Sequence, residues 1–167
     1  MPLHESTAHF LKDNEIEHEV MDCDPDLADT AAFCEAYGVP LENSANAILV
    51  ASKKPEGIYA LCLVLATDRL DVNGTVRKAL GARKVSFASA EDTLARTGQE
   101  IGGVTVFGIP EQIPIWVSPT VLERDWVIVG AGTRSAKIRL DPAVFADHPR
   151  YHVIPDLTQP RQEGEAI

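Results

Sequence analysis

Ile58-Tyr59-Ala60-Leu61-Cys62-Leu63-Val64-Leu65-Ala66 is the longest apolar run in the chain. It suits a buried strand and falls far short of the ~18–20 residues a membrane-spanning helix needs. A second apolar run, ANAILVAS (45–52), precedes it, and KKPEG (53–57) between them carries the Pro and Gly that punctuate a turn. The pair predicts a β-hairpin of two apolar strands.

Around the hairpin, short helical and strand patterns interleave. ESTAHFLKDNE (5–15) predicts a helix with Ser6 or Thr7 as N-cap and Phe10 and Leu11 facing inward, and EHEVMDC (17–23) a short strand. DTAAFCEAYG (29–38) predicts a helix capped by Asp29 and stopped by Gly38. Asp71 is placed to cap VNGTVRKAL (72–80), which Gly81 closes, and Ser89 with Asp92 opens AEDTLAR (90–96). PIWVS (114–118), WVIVGAG (126–132) and SAKIRL (135–140) read as strands, and DPAVFADH (141–148) as a final helix with Pro142 at its first position. The order lacks a regular βαβ alternation, which predicts an α+β domain with a curved, mostly antiparallel or mixed sheet. One domain is expected over residues 1–155, with a polar, disordered tail over 156–167.

Charge is unevenly placed. The chain of 167 residues has a formal net charge of −10, and residues 1–45 hold eleven Asp/Glu against one Lys. Residues 69–84 run the other way, with Arg69, Arg77, Lys78, Arg83 and Lys84 against Asp71 alone. The acidic total argues against wrapping a DNA duplex, whereas a local basic patch can meet the tip of a nucleic acid or simply form a solvated helix face. MPLHESTAHF at the start has no basic region followed by an apolar one, so a cytoplasmic protein without a membrane partner is expected. Cys23, Cys34 and Cys62 are widely spaced and read as buried thiols, not as a disulfide or zinc framework.

The absences narrow the chemistry. No GxSxG elbow, P-loop or HExxH occurs, and His4, His9, His18, His148 and His152 all lie near the chain ends. No metal and no cofactor is expected. Two glycine-bearing stretches remain. GQEIGGVTVFGIP (98–110) places Gly98, Gly102, Gly103 and Gly108 between a helix and a strand, which suits either tight turns or a loop whose peptides lie against a ligand. GAGTRSAK (130–137) lacks the third glycine of a dinucleotide fingerprint and is followed by a strand, so a hairpin turn explains it equally well. A site built from such loops can polarise a carbonyl through backbone N–H groups, which suits an activated ester better than an amide.

GVPLENSANAILVA (38–51), LDVNGTVRKALGARKVSFASAEDTLARTGQEIGGVTVFGIP (70–110) and VIVGAGTRSAKIRLDP (127–142) together resemble the YbaK/ProX aminoacyl-tRNA deacylase domain, which also occurs inserted in some prolyl-tRNA synthetases. The resemblance runs from about residue 7 to 150. It implies a compact α+β domain with a mixed, barrel-like sheet flanked by short helices, and hydrolysis of the ester joining an amino acid to the 3′ acceptor end of a mischarged tRNA. It implies no protein nucleophile: the adenosine's 2′-hydroxyl, backbone groups and a positioned water share the work. Gly102, Gly103 and Val104 would frame the ester carbonyl and Thr105 donate to it. Asn46 and Lys137 would face the terminal phosphate, with Ala47, Ile48 and Phe107 as pocket walls and Gly108 and Gly132 as further substrate-binding positions. The chain departs from the family pattern in having Asn46 where Lys is usual, Val106 where the glycine loop usually has Pro, and Lys137 where Asp or His is common. An aminoacyl-tRNA synthetase or an elongation factor would be the delivering partner. Two other readings stay open: a catalytically silent module for the aminoacylated tRNA end, and a small-molecule or nucleotide-binding domain built on the two glycine loops.

Overall fold

A computed structural model describes residues 3–162. Helix α1 (Glu5–Asp13) is entered from His4, whose Nδ1 accepts the Ser6 N–H at 3.2 Å, so the cap falls before the predicted Ser6 or Thr7. Thr7 is buried instead, and its hydroxyl donates to the Phe107 carbonyl at 3.1 Å. Strand β1 (Glu19–Asp22) leads to α2 (Thr30–Tyr37), which ends at Gly38 in the left-handed region. Strands β2 (Ala45–Lys54) and β3 (Glu56–Leu65) form the hairpin, and β4 (Asp68–Leu70) follows. Asp71 caps a helical turn over Val72–Val76 that runs into α3 (Arg77–Leu80), its carboxylate accepting the Thr75 N–H at 3.0 Å. The rest of the order is β5 (Lys84–Phe87), α4 (Ala90–Thr97), β6 (Ile115–Val117), α5 (Pro119–Leu122), β7 (Val127–Gly130), β8 (Ala136–Leu140), α6 (Val144–Asp147), β9 (Tyr151–Val153) and β10 (Thr158–Pro160). The final helix is shorter than predicted, because Asp141 and Pro142 form the turn that enters it and Asp141 Oδ1 accepts the Ala143 N–H at 2.9 Å.

The strands form three sheets. A five-stranded sheet runs β5-β2-β3-β6-β9, antiparallel through the hairpin and parallel at β3/β6 and β6/β9. An antiparallel three-stranded sheet runs β1-β8-β7, and β4 pairs with β10. The single bridge Ser44↔Ile128 links the first two. The mixed α+β architecture agrees with expectation, and the sheets do not close into a barrel.

The apolar run of β3 divides by strand periodicity, which sends alternate side chains to opposite faces. Leu61, Leu63 and Leu65 enter the main core with Val127 and Val129 of β7 and Ile138 of β8. Ala60, Cys62 and Val64 face the other side, with Val76, Trp116 and Leu157. Both faces are therefore covered, which is why the run is continuous and not alternating. Helix α2 packs Phe33 and Cys34 against Ile128, on the outer face of β7.

The tail expected from Asp156 is corrected over 156–162. Leu157 is fully buried, its carbonyl accepts the Asp71 N–H at 2.9 Å, and β10 pairs with β4. Residues 163–167 of that expected tail lie outside the described residues. No helix among the described residues is long and apolar enough to cross a membrane.

Candidate functional site

A cavity of about 360 Å³ opens where β2 begins. One wall is Ser44–Leu49, the opposite wall is the glycine loop through Ile101, Gly102 and Val104, and the end of β7 with Lys137 closes the base. The loop before α2 (Ala28, Asp29, Thr30) and the β5 exit (Phe87, Ala88) form the rim.

The glycine loop has no ladder of its own, and a buried amide holds it. Gln99 is fully buried; its Oε1 accepts the Thr105 N–H at 2.9 Å, and its Nε2 donates to the Phe107 carbonyl at 3.2 Å and to Thr7 Oγ1 at 3.3 Å. One side chain thus ties residues 99, 105 and 107 together and anchors them to α1. Sequence reasoning missed it, because a lone Gln after a helix carries no pattern.

The second constraint is steric. A Cβ on Gly103 would overlap the Thr133 carbonyl, and one on Gly130 would overlap the Val104 carbonyl oxygen. The Gly132 N–H donates to the Gly103 carbonyl at 2.7 Å. The two glycine stretches, read separately in the sequence, form one seam whose close backbone approach excludes side chains. Most of the glycines therefore serve chain-to-chain packing: Gly108 abuts the Ser6 carbonyl and Gly132 abuts His4. Gly102 and Gly130 line the cavity as well, Gly102 at φ +85° with the Arg134 guanidinium where a Cβ would stand.

Arg134 clasps the rim. Its Nε and Nη2 donate to the Pro25 carbonyl at 3.1 and 2.9 Å, Nη1 meets Asp29 Oδ1 at 3.1 Å, and its backbone N–H donates to Glu100 Oε1 at 2.8 Å. Three loops that border the cavity are tied at this residue.

The loop leaves a particular set of donors. The Gly103 N–H is tied to the Glu100 carbonyl at 3.0 Å and the Thr105 N–H to Gln99. The N–H groups of Gly102 and Val104, both cavity-lining residues, have no protein partner among the described residues. A ligand carbonyl at this wall can accept from such amides.

On the facing wall, Asn46 Oδ1 accepts from Thr30 Oγ1 at 2.8 Å, which orients its amide against the α2 entry. Lys137 lies at the base, where its Nζ donates to the Ala28 carbonyl at 2.8 Å and sits 5.3 Å from the centre of the Phe33 ring. Burial pulls its pKa below the ordinary lysine value. Burial also pushes the Cys23 and Cys34 thiols up, so neither supplies a ready thiolate beside it.

The structure brings Asn46, Ala47, Ile48, Gly102, Val104 and Lys137 to one cavity. Gly103, Thr105, Phe107, Gly108 and Gly132 do not line it. Phe107 is fully buried in the main core, edge-on to Tyr151 and stacked with Phe145, because its segment runs away from the cavity beneath α1. Thr105 is also fully buried, with its N–H on Gln99 and its hydroxyl without a partner among the described residues. No histidine lines the cavity, and no group of three or more His, Cys, Asp or Glu that could hold a metal ion occurs among the described residues.

The cavity is thus lined by strand β2 and by glycine-loop residues whose Gly102 and Val104 amides have no protein partner among the described residues. The chain belongs to the aminoacyl-tRNA editing domain family, whose model matches residues 24–147, in agreement with the resemblance drawn from its sequence. Among curated proteins it is 28% identical over 147 residues to the uncharacterized protein YwhH of Bacillus subtilis (strain 168), covering 88% of this chain and 90% of that one. Its fold is similar to that of the hypothetical protein APE2540, with a TM-score of 0.82 and 20% identity over 93% of this chain and 100% of the other. It is also similar to a proposed trans-editing enzyme for prolyl tRNA synthetase, with a TM-score of 0.76 and 20% identity over 92% of this chain and 97% of that one.

Proposed function

We propose that the protein is a trans-editing deacylase that hydrolyses the ester of misacylated tRNA. The observation that carries this reading is the pair of unpartnered N–H groups on Gly102 and Val104, residues that line one cavity with Asn46 in an editing-domain fold. The ester carbonyl lies against these amides, which stabilise the negative charge that develops as water adds. Asn46 donates to the terminal adenosine and Lys137 supplies positive charge at the base. The attacking water is activated by the substrate's own 2′-hydroxyl, since the carboxylate on the rim, Asp29, is ion-paired with Arg134. Gly103 and Thr105 act indirectly, by fixing the loop. A cavity of about 360 Å³ selects by exclusion, admitting small side chains and rejecting large ones. The substrate places the protein in the cytoplasm, with a synthetase or elongation factor as the source of charged tRNA.

Labelled alanyl-, cysteinyl- and seryl-tRNA(Pro), beside prolyl-tRNA(Pro), test this directly. Release from one or a few of the mischarged species, reduced by Asn46→Ala, is expected. Retention of every ester at high protein concentration, with binding intact, would instead make the domain a silent acceptor-end module.

A further inference from the structure

Exclusion by size leaves several short side chains equally acceptable, and charge can rank them. Of the residues that line the cavity, only Asp29 and Lys137 are charged. Asp29 is exposed on the rim and pairs with Arg134 at 3.1 Å. Lys137 is half-buried at the base, where its ammonium is held by one neutral carbonyl, that of Ala28, and by the face of Phe33. No carboxylate forms an ion pair with it among the described residues.

The titratable and charged groups around Lys137 leave a positive balance. Asp29 attracts it and Arg134 repels it, so one exposed carboxylate serves two cations. Cys23 and Cys34 also face it, and burial keeps both thiols protonated. An ammonium has three donors, and the Ala28 carbonyl takes one of them. A partly desolvated cation with donors to spare and no counter-ion is stabilised by an anionic group on a ligand.

The place of Lys137 decides which part of the substrate reaches it. It lies on β8, the middle strand of its sheet, between Met21 of β1 and Gly130 of β7. Helix α2 covers that face of the sheet with Phe33 and Cys34, so the cavity is blind at this end. A polymer enters a blind cavity by its end, and its phosphodiester chain has to leave through the mouth. The end of a charged tRNA is the aminoacyl group. Gly130 packs against the Val104 carbonyl. Cross-strand neighbours stand ~5 Å apart, so Lys137 begins about one side chain's length from the wall assigned to the ester.

We infer that Lys137 is a specificity-determining residue, which selects an aminoacyl group with a short acidic side chain by pairing its ammonium with the side-chain carboxylate. The inference rests on this cavity being the ester site. It assigns rejection of long side chains to the cavity's size, and the choice among short ones to a single charge.

The test measures, by calorimetry on the full-length protein, the binding of amide-linked aspartyl-, asparaginyl- and alanyl-adenosine. The first two have nearly the same shape and differ in charge. Wild type is expected to bind the aspartyl compound about tenfold more tightly than the asparaginyl one, because its bond to Lys137 is charged at both ends. Lys137→Met, close in volume, should lose that preference. Carbon-13 NMR of the lysines in wild type needs no variant: the Lys137 Cε signal should move with the aspartyl compound and much less with the asparaginyl one. Adenosine 5′-monophosphate supplies the competing anion. The inference is overturned if wild type binds the aspartyl and asparaginyl compounds equally or binds neither, or if Lys137→Met keeps the preference. It is also overturned if the monophosphate, and not the aspartyl compound, moves the Lys137 signal. Release of the amino acid from alanyl- and aspartyl-tRNA by wild type is measured in parallel. Release without a charge preference overturns this inference and keeps the ester site; a Lys137-dependent preference without release keeps the selecting charge and overturns the hydrolytic reading.

Discussion

The two walls of the cavity are held in different ways. On the β2 side, Asn46, Ala47 and Ile48 sit in a regular ladder opposite Val64, Leu63 and Cys62. Many equivalent hydrogen bonds share the task there, and a side chain can change without moving the backbone. On the glycine side, one buried amide and one steric seam do the positioning, through Gln99 and the contact of Gly103 with Thr133. The sheet wall therefore tolerates variation in what it presents, while the loop wall tolerates little in what supports it.

Substitutions can break this contrast. The largest effect is expected for Gln99→Leu, which strands the Thr105 N–H in a fully buried place. Urea unfolding should show a loss of ~3 kcal/mol, since each orphaned buried group costs ~1–3 kcal/mol. Gly103→Ala should cost ~2 kcal/mol by forcing the seam apart, together with a large loss of deacylation, because the Val104 amide moves with it. A thermal melt and a deacylation assay on the same sample would read both.

Asp71 sharpens the comparison from outside the cavity. The Thr75 N–H bonded to its carboxylate holds its pKa below the usual aspartate value. A depressed folded-state pKa contributes stability above the unfolded value of ~3.9 and loses it as pH falls through the folded value. Asp71→Ala should therefore cost ~1 kcal/mol at neutral pH, the ordinary worth of a cap, and the gap from wild type should shrink below pH ~4. Chemical unfolding at several pH values would show it. The smallest change in stability is expected for Asn46→Ala on the ladder wall, within ~0.5 kcal/mol, although deacylation should fall about tenfold or more.

How much of this was legible in the sequence follows the same division. The hairpin could be read because its apolar runs are strand-length and bounded by Pro55 and Gly57, and helices α2 and α4 because Gly38 and Gly98 stop them in the left-handed region. Those signals are local. The seam was not legible, since Gly103 and Thr133 are distant in sequence and their contact follows from packing alone. Phe107 looked like a pocket wall because strand periodicity gives two faces and not which face borders a cavity. The segment at 156–162 looked like a tail because one buried residue, Leu157, and a short edge strand ending at Pro160 leave little apolar pattern. Gln99 was silent for the reason that most single buried polar residues are: the partners that make it necessary lie on other elements.

The central claim is that the Gly102 and Val104 amides receive the ester carbonyl. Amide NMR of the labelled protein, titrated with an amide-linked alanyl-adenosine that cannot be hydrolysed, tests it most directly. The resonances of Gly102, Val104 and the Asn46 side chain should shift most, and those of Gly103 and Thr105, already hydrogen-bonded within the loop, much less. Largest shifts at residues that do not line this cavity, or none at saturating analogue, would contradict the account.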